Sequence, residues 1–407
     1  MITARRNKAI LRWMFTVQAL LAFALSACNG EQISPQPIRL ATATYTLAPS
    51  VTPLPSFTPL PTPTPTNTPT PTLTFTPTPL LLAMIGTPLP PSLPPITYEN
   101  AGQVSGLAEW YEPTVTDLTW TPDGRFLVVS TENLVHFYDV SQRQVVRSLH
   151  PSLESVVDVA FDASGFWFIA GSRRGSEQEG YVSGLEIWRG PDWKPLGVMY
   201  GTDRALTNLA FSPDNQYLAV AYSHPRASQN SVDLWLPITW TISSTLQTGL
   251  VQGLAFSADA RYLAVSPDRY AIRVFDLKDR VWFLNLPTSF TGAVNALAFS
   301  PDGFTLASGH YDGSVNLWDV RDGSRLVSFQ TDEVIQSLTF SPDGRMVVTG
   351  GSYQNSLVRL WAAGSGELLR TLEGHQHGVT HLTFSPDSQY LVSASYDGAI
   401  RLWGIRP

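Results

Sequence analysis

The sequence of 407 residues predicts an all-β fold: seven four-stranded sheets closed into a ring, carried behind an export leader and an extended stalk. Three observations predict it. A short phrase built on an aromatic residue, Ser, Pro, Asp and Gly recurs seven times after residue 100. A proline- and threonine-rich stretch precedes the repeats, and a basic then apolar leader opens the chain. Composition agrees, because 43% hydrophobic and 11% aromatic residues are too apolar for a disordered chain, and 29 Gly and 32 Pro break it too often for a helical bundle. A net charge of −7 argues against a nucleic-acid partner. The single cysteine excludes an intrachain disulfide, a redox pair and a multi-cysteine zinc site.

The leader comes first. Arg5, Arg6, Lys8 and Arg12 precede an apolar run from Trp13 to Ala27, with no acidic residue among them. Basic start, short apolar run and small-residue exit are the parts of a secretory signal, and the run is shorter than the roughly 20 residues of a spanning helix. The exit reads Leu25-Ser26-Ala27-Cys28. It resembles the bacterial lipoprotein box, which implies removal of residues 1–27 and acylation of the Cys28 thiol. The exported chain would then carry a charge of −11, since four positive charges leave with the leader. Such a body repels anionic headgroups, so membrane attachment would rest on the acyl chains.

Residues 28–99 are expected to be a disordered Pro/Thr-rich linker. Between Ser34 and Pro95 lie 18 of the 32 prolines, and Arg39 is the only charge from Ile33 to Tyr98. Proline removes backbone donors and fixes φ, so neither helix nor sheet propagates and an extended polyproline tendency remains. The contour is on the order of 190 Å, which suits a tether. Leu80-Leu81-Leu82-Ala83-Met84-Ile85 interrupts it, too short to span a membrane and apolar enough to dock.

Residues 100–407 carry the repeats. The phrase stands as Trp120-Thr121-Pro122-Asp123-Gly124, and again from Phe161, Phe211, Phe256, Phe299, Phe340 and Phe384, at intervals of 41 to 50 residues. Each copy has an aromatic partner downstream: Tyr138, Trp188, Trp235, Phe275, Trp318, Trp361 and Trp403. Ser-Pro-Asp-Gly suits a type I turn, and Tyr311-Asp312-Gly313 and Tyr396-Asp397-Gly398 suit tight hairpins. Seven units of this period resemble the WD-repeat family, which implies a seven-bladed β-propeller. The last copy is the fullest. The resemblance assigns His375, Ser393, Asp397 and Trp403 to a buried hydrogen-bond chain within one blade. The fifth copy keeps Ser308, Asp312 and Trp318 but has Phe290 where the histidine would sit. Blades before it are expected to rely on apolar packing alone. Only four residues follow Trp403, so the strand-length segment Gln103 to Trp110 is expected to complete the last blade.

No nucleophile elbow, zinc-protease helix, phosphate loop or EF-hand spacing occurs, and no catalytic residue, cofactor or metal is assigned. The string His375, His377 and His381 has a metal-like look, but His375 belongs to the blade chain and His381 falls on an opening strand, where alternation would bury it. The family pattern puts three enlarged loops on one face: Gly171 to Gly184, Tyr222 to Ser231 and Gly351 to Ser356. They would gather Arg173, Arg174, Arg226 and His224 beside Tyr181, Tyr222 and Tyr353, a set able to recognise an acidic protein or a glycan. The reading is a monomeric, non-enzymatic protein-interaction platform, lipid-anchored in a bacterial cell envelope, on the outer side of the cytoplasmic membrane or at the cell surface. The alternatives are an exported propeller enzyme acting on peptides or glycans, and a small-ligand sensor.

Overall fold

The computed structural model describes residues 89, 92–176, 180–202, 204–224, 230–267, 271–288, 292–352 and 356–406. Cys28, Arg226, Phe290 and Tyr353 lie outside them. Seven antiparallel sheets of four strands are formed. Blade 1 is Val115–Trp120, Phe126–Thr131, Val135–Asp139 and Gln144–Leu149, and blade 2 is Ser155–Phe161, Trp167–Ser176, Gly180–Arg189 and Lys194–Thr202. Blades 3 to 6 start at Ala205–Phe211, Val251–Phe256, Val294–Phe299 and Ile335–Phe340, and each runs on through three further strands in chain order. Blade 7 takes Val379–Phe384, Leu391–Ser395 and Ala399–Ile405 from the end of the chain and its outermost strand, Val104–Tyr111, from the beginning. The seven first strands touch in cyclic order, the last against the first, which closes the ring around a channel.

Burial explains why the ring holds. Every blade has apolar residues on both faces, and each of the seven seams between blades has its own apolar cluster. Phe137 of blade 1, for example, meets Phe168 and Trp193 of blade 2 at ring distances of 5.8 and 5.7 Å. A fully buried side chain of this size contributes about 1.5–3 kcal/mol, and the clusters repeat it around the whole ring.

The phrase turns lie on one face. In six of them the hydroxyl of the second phrase residue donates to the turn aspartate, as from Ser212 to Asp214 at 2.6 Å, where the same carboxylate accepts the Gln216 N–H at 3.0 Å; in blade 2 the two are exchanged and Ser164 donates to Asp162. The fifth residue of the phrase takes positive φ in all seven copies: Gly in four, and Asn215, Ala260 and Ser388 where the glycine is lost. The entering chain crosses this same face. Leu89 and Leu93 pack beside Trp120 and Tyr390, the Ile96 N–H donates to Ser388 O at 2.7 Å, and a 3-10 turn, Tyr98–Gln103, leads into the closing strand. Packing therefore starts ahead of residue 100.

Polar groups inside the blades differ from the apolar expectation for blades 1 to 4. Two residues before each blade's aromatic stands a polar side chain: His136, Glu186, Asp233, Arg273, Asn316, Arg359 and Arg401. Each has found a partner of its own. Glu186 accepts from the Ser152 N–H at 2.6 Å, Asp233 pairs with Arg204 at 3.0 Å, Arg273 covers the Trp282 ring at 3.8 Å, and Arg359 meets Asp332 at 2.7 Å and Glu333. In blade 1 the Tyr138 hydroxyl donates to Glu112 and His136 meets Ser148 at 2.7 Å. A buried charge without a partner costs several kcal/mol, so each blade had to acquire its own solution.

In blade 7, Trp403 Nε1 donates to Ser393 Oγ at 2.8 Å, Ser393 Oγ lies 2.7 Å from His375 Nε2, and His375 Nδ1 stands 3.5 Å from Asp397 Oδ1. Burial drives the His375 pKa down to about 4, so the ring is neutral. Burial works against the Asp397 charge, but N–H groups of Gln376 and Ala399, with His375, outweigh it and hold the carboxyl below its usual range. Blade 5 reaches a similar end by another route. Trp318 donates to Ser308 Oγ at 3.0 Å, and Ser308 meets His310 Nε2 at 2.9 Å. His310 comes from the end of the second strand rather than from the loop before the blade, and its Nδ1 donates to Gly292 O at 3.0 Å. Asp312 stands close enough to His310 for its charge to act on the ring. It accepts from the Ser314 N–H and hydroxyl at 3.0 and 2.6 Å and shapes the hairpin turn.

Candidate functional site: the channel mouth and its rim

Each first strand carries one bulge at an equivalent place, as between Val115 and Asp117, Val156 and Asp158, Leu206 and Asn208, and Val379 and His381. A bulge kinks the strand and re-aims the side chains around it. Seven of them at one level produce a cavity of about 830 Å³ at the mouth opposite the phrase turns, lined by Asp117, Asp158, Asn208, Gln252, Asn295, Gln336 and His381.

Several of these groups pin the seams. Asp117 Oδ2 accepts the Val159 N–H of blade 2 at 3.2 Å, and Asp158 Oδ2 accepts the Leu209 N–H of blade 3 at 2.8 Å. Asn295 donates to Ile335 O and Ser337 to Val379 O, both at 2.9 Å. Burial, and then the neighbouring Asp117 charge, push the Asp158 carboxyl well above the usual range. His381 Nε2 stands 3.9 Å from Asp117 Oδ1, with burial lowering its pKa. It is half-buried in the channel wall rather than packed inside a blade, because the bulge beside it turns it towards the axis. Among the described residues no three His, Cys, Asp or Glu side chains stand close enough to hold a metal, and no helix is long and apolar enough to cross a membrane.

The rim departs from the sequence reading in two ways. The segment Gly171 to Gly184 is not an enlarged loop: the ladder continues through it, pairing Ser172 with Gly184 out to Ser176 with Gly180. A hairpin of two ten-residue strands therefore rises from blade 2, with Arg173 half-buried at the mouth, its Nη1 donating to Leu206 O at 3.5 Å. Strand alternation puts Arg174, which is exposed, on the opposite side, while Tyr181 pairs with Gly175 and shares the side of Arg173. The second departure is Tyr222, only 6% exposed, whose ring is covered by the Arg204 guanidinium at 4.3 Å. It belongs to the interior of blade 3 and is withdrawn from the rim. The backbone N–H of His224, half-buried on the following turn, donates to Asn230 Oδ1 at 2.8 Å. Arg173, Arg174 and Tyr181 share one hairpin, and its strands abut the first strand of blade 3.

Asp117, Asp158 and Asn208 carry no sequence motif. Only their shared offset before the phrase, visible once the seven copies are stacked, would have found them.

The family described as WD domain, G-beta repeat, matches residues 107–139, 193–235, 284–319, 323–362 and 366–404. The chain is similar to Periodic tryptophan protein 2 of Arabidopsis thaliana, at 28% identity over 56% of this chain and 25% of that one. It is similar to human WD repeat and SOCS box-containing protein 1, at 29% over 48% of each. Protein FIZZY-RELATED 3 of Arabidopsis thaliana is 24% identical over 79% of this chain and 64% of that one. The chain thus spans between a quarter and just under two thirds of the length of these curated relatives. WD40 propellers generally bind protein partners. Five matched repeats within seven closed blades make this chain a WD40-repeat β-propeller.

Proposed function

We propose that the chain is a non-enzymatic protein-interaction platform, acylated on Cys28, held outside a bacterial cytoplasmic membrane by its Pro/Thr stalk, and binding its partner on the face that carries the channel mouth. One observation supports this most directly: the chain enters the ring at Leu89 and Ile96 on the phrase-turn face, so the mouth and the blade 2 hairpin lie on the opposite face, clear of that entering segment. Arg173 and Arg174 sit there in a body whose net charge is −7, which favours an acidic segment of the partner. The channel carboxyls are spent on backbone N–H groups of neighbouring blades, which leaves them poorly placed for acid–base work.

The experiment is crosslinking capture from the native envelope by the exported protein. Changing Arg173 and Arg174 to Ala together should lower capture of the same partner several-fold, while Arg125→Ala on the turn face leaves it unchanged. Equal capture by the double variant would reject the rim. Acylation is read separately, by loss of labelled palmitate from Cys28→Ser. The cavity of about 830 Å³ favours the small-ligand sensor as a second reading, and a ligand-dependent rise in melting temperature tests it.

A further inference from the structure

The blade 2 hairpin has a consequence at the perimeter of the ring. Because its strands run on past the other blades, the outermost strand follows them, pairing Val182 with Thr202, Ser183 with Gly201 and Gly184 with Tyr200. Lys194–Thr202 is nine residues long, against five to eight for the outer strands of the other blades. No strand among the described residues pairs with its outer edge. After Lys194 it has no charged residue, whereas Glu109, Arg147, Arg325 and Arg370 lie on other outer strands. The uncharged outer strands of blades 3 and 4, Thr241–Gln247 and Val281–Pro287, are shorter, and the exposed Phe283 of the latter already stacks on Tyr262. Long uncharged edges are the ones folded proteins normally blunt, since their free N–H and C=O groups template another strand.

We propose that Lys194–Thr202 pairs antiparallel with the same strand of a second copy, joining two rings through one eight-stranded sheet. The sequence of the strand is self-complementary about Met199. In that register Val198 opposes Tyr200 of the second copy, twice by symmetry, and Gly197 opposes Gly201. Val198 and Tyr200 share one face of the strand, and Tyr200 is 60% exposed. Aromatic opposite β-branched is a favourable cross-strand pair, and the glycines let the backbones approach without a side-chain clash. Charge also favours this edge. Two acidic bodies repel, so they can meet closely only where no acid faces an acid: in this register Asp203, next after the strand in sequence, falls against Pro195, and Asp192 is paired with Lys194 at 3.2 Å. The contact is isologous, so it stops at two copies. Nine residues a side is well below the 20–30 of a standard interface, which makes the dimer weak and concentration-dependent. Closure of the ring protects the two chain ends but leaves the outer edges of the blades free, so the expected monomer gives way to a weak dimer.

Sedimentation equilibrium of the whole chain, made with Cys28→Ser so that no acyl chain drives association, reads the result. A monomer–dimer equilibrium is expected. Tyr200→Lys should weaken it about tenfold or more without moving the melting temperature, because the side chain is exposed. Adding Val198→Glu should recover much of the loss, since the two substituted positions then oppose each other with opposite charges. A chain that stays monomeric at every concentration overturns the proposal. So does a Tyr200→Lys variant that associates like its parent, or a double variant no tighter than the single one.

Discussion

His375, Glu186, Asp233 and Arg359 show how a repeat tolerates divergence at the level of one side chain. The polar residue two places before each blade aromatic changes identity from copy to copy, and the partner changes with it. In blade 3 the acid is on the third strand and the arginine in the loop before the blade, while in blade 6 the polarity is reversed. Asp233 is 1% exposed, so its energetics turn on Arg204. Arg204→Ala should destabilise by about 3–5 kcal/mol by leaving a buried charge unpaired, and Asp233→Leu combined with Arg204→Met should recover most of that, measured by chemical denaturation. The sequence marked the aromatic and the phrase because they repeat. It did not mark Arg204 or His310, since a partner contributed from a different loop or strand position in each copy has no fixed spacing.

At the level of elements, the closing strand and the blade 2 hairpin contrast. The closing strand was legible: a strand-length segment stood before the first phrase, and the last blade lacked an outer strand. Val104, Leu107 and Trp110 are buried along it, with Ile96 just ahead. A chain beginning at Glu112 loses all four and opens the edge of Ala399–Ile405, so its melting temperature should fall by at least about 10 °C in a calorimetric scan. An unchanged melt would mean the last blade does not need the strand. The hairpin segment, punctuated by Ser, Arg, Gly and Glu, carries no strand signal of its own. Its strand pairing is imposed by the neighbouring ladder, which the local sequence does not express.

For the whole molecule, opposing ionisations bracket stability. Burial lowers the pKa of His136, His310, His375 and His381, so the folded state refuses protons the unfolded chain accepts. Their contribution is present above 6.5 and is lost as pH falls through the lowered folded values, about 4 for His375. Burial raises Glu333 to about 7, and Asp158 well above its ordinary value, so that contribution is full below the ordinary carboxylate range and is lost as pH rises through the raised values. The melting temperature should therefore peak near about pH 6.5 and fall on both sides. Asp158→Asn should flatten the alkaline limb, because Asn208 already occupies the equivalent place in blade 3. His375→Gln should flatten the acid limb. A monotonic profile would contradict this account of the buried groups.

The sequence by itself determined the repeat count, the turns and the closing strand, because these depend on local backbone chemistry and on a period that seven copies make visible. Tertiary structure alone decided that Tyr222 faces inward under Arg204 and that His310 replaces a missing loop histidine. It also decided that Asp117 and Asp158 pin the seams of a channel. Those outcomes rest on distances between blades, and a buried polar group takes whichever partner the ring brings within reach.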